Sequence, residues 1–162
     1  MTNKLTISTD LIRIFKNATT RDEAILSLVH LLQKKGYVKP SFGEAVLKRE
    51  EIFPTGLNTQ PVNIAIPHTD AEHVNKGAIA IGVLPSPVKF YEMGGDNSIL
   101  DVSIICVLAI QEPKSLAGLL RSLALSFQKP DFLTNILAAK SPDAVVKIFL
   151  NQLDEVVEEV HR

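Results

Sequence analysis

Cysteine occurs once in the 162 residues, at Cys106, so no intramolecular disulfide can form; its place inside an apolar run marks a small core residue. Charge of one sign is also missing. Lys and Arg number 17 against 18 Asp and Glu, and a formal net charge of −1 gives no electrostatic reason to expect nucleic acid or an anionic membrane as partner. Long hydrophobic runs are lacking: Ile104 to Ile110 falls well short of the ~20 residues that cross a bilayer. Met1 to Asp10 is polar, without the apolar core of a signal peptide, so the expected location is the cytoplasm. Gly-x-Ser-x-Gly, P-loop and Gly-x-Gly-x-x-Gly patterns are absent, which removes the usual signatures of serine hydrolases and nucleotide sites. Neither repeats nor long linkers interrupt the chain, so residues 1–162 are expected to form a single domain with a core over about 11–153.

What is present is a change of period along the chain. Leu11 to Phe15 alternates weakly, as a first strand would. Thr20-Arg21-Asp22-Glu23 has the spacing of a capping box, and Ala24, Ile25, Leu28, Val29 and Leu32 follow on one helical face, stopped by Gly36. A second box, Ser41-Phe42-Gly43-Glu44, predicts a helix to about Glu51 with Ala45 and Leu47 inward, broken by Phe53-Pro54-Thr55-Gly56. The period then becomes that of strands: Asn63 to Ile66, Ala78 to Leu84, Val88 to Phe90 and Leu100 to Ile110, the last nearly continuous and so central. Met93 to Asn97 reads as a turn. Helices return from Ser115, with Leu116, Leu119, Leu120, Leu123 and Phe127 on one face, then over Asp131 to Ala139 and Pro142 to about Leu153. Helices, sheet, helices: the order predicts an α/β fold, a sheet covered by helices.

The most informative stretch is Ile64-Ala65-Ile66-Pro67-His68. Pro67 cannot donate to a sheet ladder, so the chain is expected to leave the sheet there and carry the His68 imidazole to its rim. A rigid mount and a side chain that titrates near neutrality suit a nucleophile. His30 among leucines and His161 near the C-terminus read as structural or incidental. His68, Asp70, Glu72 and His73 offer zinc-type ligands, but a five-residue separation of the histidines fits helical zinc motifs poorly. No metal and no cofactor are therefore expected, and a histidine that itself carries a group remains. Were that group phosphoryl, its oxygens would need donors or a cation: Thr55 offers a hydroxyl, Gly56 an amide and Arg49 a forked cation. Equally, Arg49 fits a solvated helix face and Pro54-Thr55-Gly56 a plain turn.

Arg49-Glu50-Glu51-Ile52-Phe53-Pro54-Thr55-Gly56 followed by Ile64-Ala65-Ile66-Pro67-His68 resembles the fructose/mannitol-type enzyme IIA (EIIA type 2) of the bacterial phosphoenolpyruvate-dependent sugar phosphotransferase system, over about Leu11 to Leu153. The Phe-Pro-Thr-Gly phrase, the histidine five residues after His68, and Glu112-Pro113 lean toward its galactitol-type branch. The resemblance implies the mannitol-type IIA fold, an α/β sandwich with a mixed sheet flanked by helices. It implies that His68 accepts a phosphoryl group from the carrier HPr and passes it to a cysteine of a IIB partner, with the membrane component IIC engaged indirectly. Arg49 would stabilise phosphoryl charge and Thr55 would support the site. Mannitol- and fructose-type members carry a second active-site histidine where this chain has Ser115, which can cap a helix but supplies no imidazole. Either that histidine is dispensable or His73 reaches the site from the other side. For a docking patch around His68 the candidates include Leu57 and Val74, with packing inside the core as the alternative for either. The competing functions are a regulatory IIA-like protein acting by phosphorylation-dependent binding, and a metal-dependent hydrolase.

Overall fold

A computed structural model describes residues 4–160. Seven strands form one mixed sheet: β1 (Leu5–Ile7), β2 (Ile12–Ile14), β3 (Gly56–Leu57), β4 (Asn63–Ala65), β5 (Ala78–Tyr91), β6 (Ile99–Ala109) and β7 (Val157–Glu159). Their order is β3-β4-β6-β5-β1-β7, with β2 also pairing β5. Five helices cover it: α1 (Arg21–Lys34), α2 (Phe42–Ile52), α3 (Leu116–Phe127), α4 (Pro130–Ala138) and α5 (Pro142–Leu153). This is the expected α/β architecture.

Alternation along the two long strands builds two cores. Ile79 and Ile81 of β5 and Ile104, Cys106 and Leu108 of β6 face α3, α4 and α5, where Phe132 lies edge-on to Phe149 at 5.2 Å. Ala78 and Ala80 of β5 and Ile105, Val107 and Ala109 of β6 face α1 and α2. That second face is lined with small residues because α1 approaches closely; a Cβ at Gly82 would sit 3.0 Å from Leu28 Cδ1 and from Phe15 Cε1. Burial of Cys106 pushes its thiol pKa well up, leaving it a core filler.

Several expectations are corrected. The Leu11–Phe15 strand shortens to β2, after a 3-10 turn over Thr9–Leu11, and the three-residue β1 and β7 were not foreseen. Ala78–Leu84 and Val88–Phe90 are one strand, β5, with a register shift between Val83 and Val88 where Pro85 and Pro87 lack the N–H a regular ladder needs. Thr20 caps α1, with Glu23 N–H donating to Thr20 Oγ1 at 3.2 Å and the Thr20 hydroxyl donating to Glu23 Oε1 at 3.0 Å, but Ser41 does not cap α2. Ser41 has helical φ and ψ and makes no cap bond. On α2 the buried stripe is Phe42, Val46 and Glu50; Ala45 and Leu47 are only half-buried, one position off the inward face. Gly36, at φ +79°, ends α1 as expected.

Candidate functional site

The expectation that the chain leaves the sheet at Pro67 is overturned. Pro67 has no N–H, but its carbonyl accepts from Leu108 N–H at 2.9 Å, and His68 bridges Leu108 in parallel. Pairing with β6 thus continues one residue past the proline and leaves His68 only 6% exposed, so it is a buried side chain at a pocket wall and not an open-rim one. The pocket, about 410 Å³, is lined by Arg49, His68, Asp70, Ile110, Pro113 and Leu116 among others.

His68 Nδ1 lies 2.9 Å from the Ile66 carbonyl oxygen. A carbonyl only accepts, so Nδ1 carries the ring proton and Nε2 keeps its lone pair in the neutral imidazole. Burial pulls the His68 pKa below its ordinary value; the Ile66 carbonyl opposes this, the nearby Arg49 charge adds to it and Asp70 opposes it. The ring is therefore held neutral at pH 7, with one nitrogen available as a nucleophile.

Arg49 projects from the last turn of α2. Its guanidinium carbon stands 5.1 Å from the centroid of the Phe53 ring, and Nη1 is 3.7 Å from Asp70 Oδ1. Nε is buried with no hydrogen-bond partner among the described residues. A buried cationic donor lacking an acceptor, in a pocket beside a neutral imidazole, has the chemistry to receive an anionic group.

Thr55 lies away from the pocket lining, in a buried loop. Its N–H donates to Glu50 Oε2 at 2.8 Å and its hydroxyl to Glu50 Oε1 at 2.8 Å, while Ile66 N–H donates to Thr55 Oγ1 at 3.2 Å. Burial pushes the Glu50 carboxyl up to about 7, against the Thr55 backbone and hydroxyl donors, with smaller opposing effects of Arg21 and Asp22. Glu50 escaped the sequence reading; its signal was an apolar stripe, Phe42 and Val46, that continues four residues on into a carboxylate. Gly56, expected to offer its amide to the site, belongs to β3, and a Cβ there would lie 2.7 Å from the Tyr91 carbonyl oxygen. Close strand approach, not anion binding, accounts for this glycine.

His73 is not among the residues that line the His68 pocket. Its Nδ1 sits 2.8 Å from Ser41 Oγ, and its carbonyl accepts from Lys39 N–H, tying the start of α2 to the segment after His68. Ser115 ends a 3-10 turn over Pro113–Ser115, makes no side-chain cap bond, and lines a neighbouring pocket with Lys4, Lys76 and Glu158. Leu57 packs against the core and Val74 is buried, so both take the packed alternative; the exposed apolar groups beside Arg49 are Ile52 and Phe53, at 69% and 59% exposed. His30 is exposed on α1, and His161 lies outside the described residues. Among the described residues no three His, Cys, Asp or Glu side chains converge as a metal set, so His68, Asp70, Glu72 and His73 do not form the zinc alternative.

Residues 6–152 match the family described as phosphoenolpyruvate-dependent sugar phosphotransferase system, EIIA 2. The chain is 31% identical over 117 residues to the galactitol-specific EIIA component of Escherichia coli (strain K12), covering 72% of this chain and 77% of that protein. It is 26% identical over 152 residues to the mannitol-specific phosphotransferase enzyme IIA component of Halalkalibacterium halodurans, covering 92% of this chain and 97% of that protein. Its fold resembles the solved complex of enzyme IIA mannitol and phosphorylated enzyme IIB mannitol from Escherichia coli, with a TM-score of 0.74 at 24% identity, over 91% of this chain and 99% of that one.

Proposed function

The chain belongs to the EIIA 2 family of the phosphoenolpyruvate-dependent sugar phosphotransferase system, and from that premise we propose that His68 is its phosphoryl acceptor, through Nε2. A phosphocarrier role in a sugar phosphotransferase system follows from the membership itself. The observation that carries the finer reading is the Nδ1–H bond to the Ile66 carbonyl, which leaves Nε2 as the nucleophilic nitrogen of a neutral ring beside Arg49.

In the proposed cycle the Nε2 lone pair attacks phosphorus in the phosphohistidine of HPr. The donor's N–P bond breaks as the His68 N–P bond forms, and the donor imidazole leaves with the electron pair. Arg49 meets charge on the phosphoryl oxygens, using a guanidinium that is otherwise held only loosely by Asp70. A IIB cysteine thiolate then attacks the same phosphorus and the electron pair returns to Nε2. Likeness to a IIA–IIB complex supports the IIB partner, and the galactitol-specific relative supports a hexitol such as galactitol as the solute moved by the associated membrane IIC component. The reading places the chain in the cytoplasm with these partners; among the described residues no helix is long and apolar enough to cross a membrane. The test is onward transfer: with enzyme I, HPr and phosphoenolpyruvate, label passes through this chain to a galactitol-type IIB. Label that stays on this chain with every IIB supplied would instead favour a regulatory protein.

A further inference from the structure

We infer that Glu50 is a positioning residue for His68, acting through the Thr55 hydroxyl and the Ile66 backbone. The inference rests on reading His68 as the phosphoryl acceptor.

The bonds form an unbroken series. Both Glu50 oxygens are occupied by Thr55, one by its N–H and one by its hydroxyl, each at 2.8 Å. A hydroxyl has one proton; committing it to Glu50 turns the oxygen lone pairs toward Ile66 N–H, which donates there at 3.2 Å and, more weakly, to the Thr55 carbonyl at 3.4 Å. The carbonyl of the same Ile66 receives His68 Nδ1–H at 2.9 Å. Without the carboxylate, the Thr55 hydroxyl could rotate and present its proton to Ile66 N–H, two donors facing each other. From the opposite side, Leu108 N–H holds the Pro67 carbonyl at 2.9 Å, so the segment carrying His68 is fixed both from β6 and from α2.

The helix explains why this anchor is a carboxylate next in sequence to Arg49. Successive residues on α2 differ by about 100° around the axis, so one turn sends Arg49 to the pocket and Glu50 inward beneath it. The cation that receives phosphoryl charge and the anchor that sets the ring tautomer thus share one rigid element. Glu50 does not itself line the pocket, and its effect is on which nitrogen of the ring is free. Burying a carboxyl at 2% exposure is costly unless it is hydrogen-bonded, and a loop needing only a turn would not require one.

The test uses Glu50→Gln, Thr55→Val and Thr55→Ser, with two readouts. Nitrogen-15 resonances of the His68 ring report the tautomer without any donor present. Steady-state transfer from phosphorylated HPr reports kcat and KM. Glu50→Gln and Thr55→Val are expected to lose the Nδ1–H tautomer bias and to lower kcat about tenfold with KM for HPr unchanged, while Thr55→Ser stays within twofold of the parent. If one of the two disruptive variants does not fold, the other decides. The inference is overturned if the tautomer is unchanged, if Ser and Val at position 55 behave alike, or if both Glu50→Gln and Thr55→Val lose the fold, since the pair would then serve stability alone. Should the parent protein take no label on His68 while the variants still shift its tautomer, the proposed function fails and the positioning role stands.

Discussion

Replacing Arg49 by methionine is expected to separate catalysis from stability. In the fold, Arg49 makes two weak contacts. Its 3.7 Å ion pair with Asp70 joins groups that are 32% and 71% exposed, and such a pair contributes about 0–1 kcal/mol. Its position over the Phe53 ring contributes roughly 0.5–1 kcal/mol. Against these, methionine removes a buried Nε–H that has no acceptor among the described residues, which recovers part of that sum. Unfolding free energy should therefore fall by no more than about 1 kcal/mol, too little to depopulate a fold of ordinary stability. Transfer is another matter. Losing one preorganised donor to a charge-bearing transition state typically slows reaction about 10²–10³-fold, and Arg49 is the only Lys or Arg lining the His68 pocket among the described residues. Single-turnover labelling of this chain by phosphorylated HPr, run beside urea denaturation, gives both numbers from one preparation. Arg49→Lys should recover part of the rate, since it restores charge but not the fork. A methionine variant transferring within threefold of the parent would refute the argument, as would a stability loss above about 3 kcal/mol.

Other outcomes follow from the same geometry. Because burial lowers the His68 pKa, protonation of Nε2 should slow acceptance only below pH 6.5, while Glu50, pushed up to about 7, titrates above it; Glu50→Gln should therefore keep the fall on the acid side, and a variant that loses it would contradict this. The linked stability has the same sign: the unfolded chain binds the proton first, so the His68 contribution is full above 6.5 and is lost as pH falls toward the folded value, a slope that denaturation of His68→Gln should lack. Gly56→Ala should cost about 1–3 kcal/mol in urea denaturation, since its Cβ would meet the Tyr91 carbonyl at 2.7 Å and backbone cannot yield cheaply. Ser115→Ala and His73→Gln should leave the labelling rate within twofold. The second should lower stability by about 0.5–1.5 kcal/mol through the lost Ser41 bond, and a large rate loss in either would return a second titratable or polar group to the chemistry.

The long elements were legible because burial writes its period into them. Leu116 to Phe127 and the 78–84 and 100–110 strands each bury one face or both, and their apolar spacing says so. β1 and β7 were not legible because three residues carry no period; they exist through each other, Leu5 opposite Val157 and Ile7 opposite Glu159, across almost the whole chain. Pro85 and Pro87 broke the pattern of β5 without breaking the strand, since a register shift absorbs them. At the site, His68 and Arg49 were readable as an imidazole on a strand end and a cation on a helix end, and the fold brings both to one pocket. Thr55 was readable as a residue near the site but not as a buried link, because its partner Glu50 lies on a helix face that the pattern assigned one position off. Ser41 misled for a related reason. It was read through its neighbours in sequence as a cap, and it bonds instead to His73, whose place the sequence left open.

The central claim is that one imidazole carries the phosphoryl group, on its Nε2. It is tested most directly by labelling the chain with phosphoenolpyruvate, enzyme I and HPr, then locating the phosphoryl group by phosphorus–nitrogen NMR. The account predicts one equivalent on His68 Nε2, removed by IIB and absent from a folded His68→Gln variant; label on His73, or on His68 Nδ1, would contradict it.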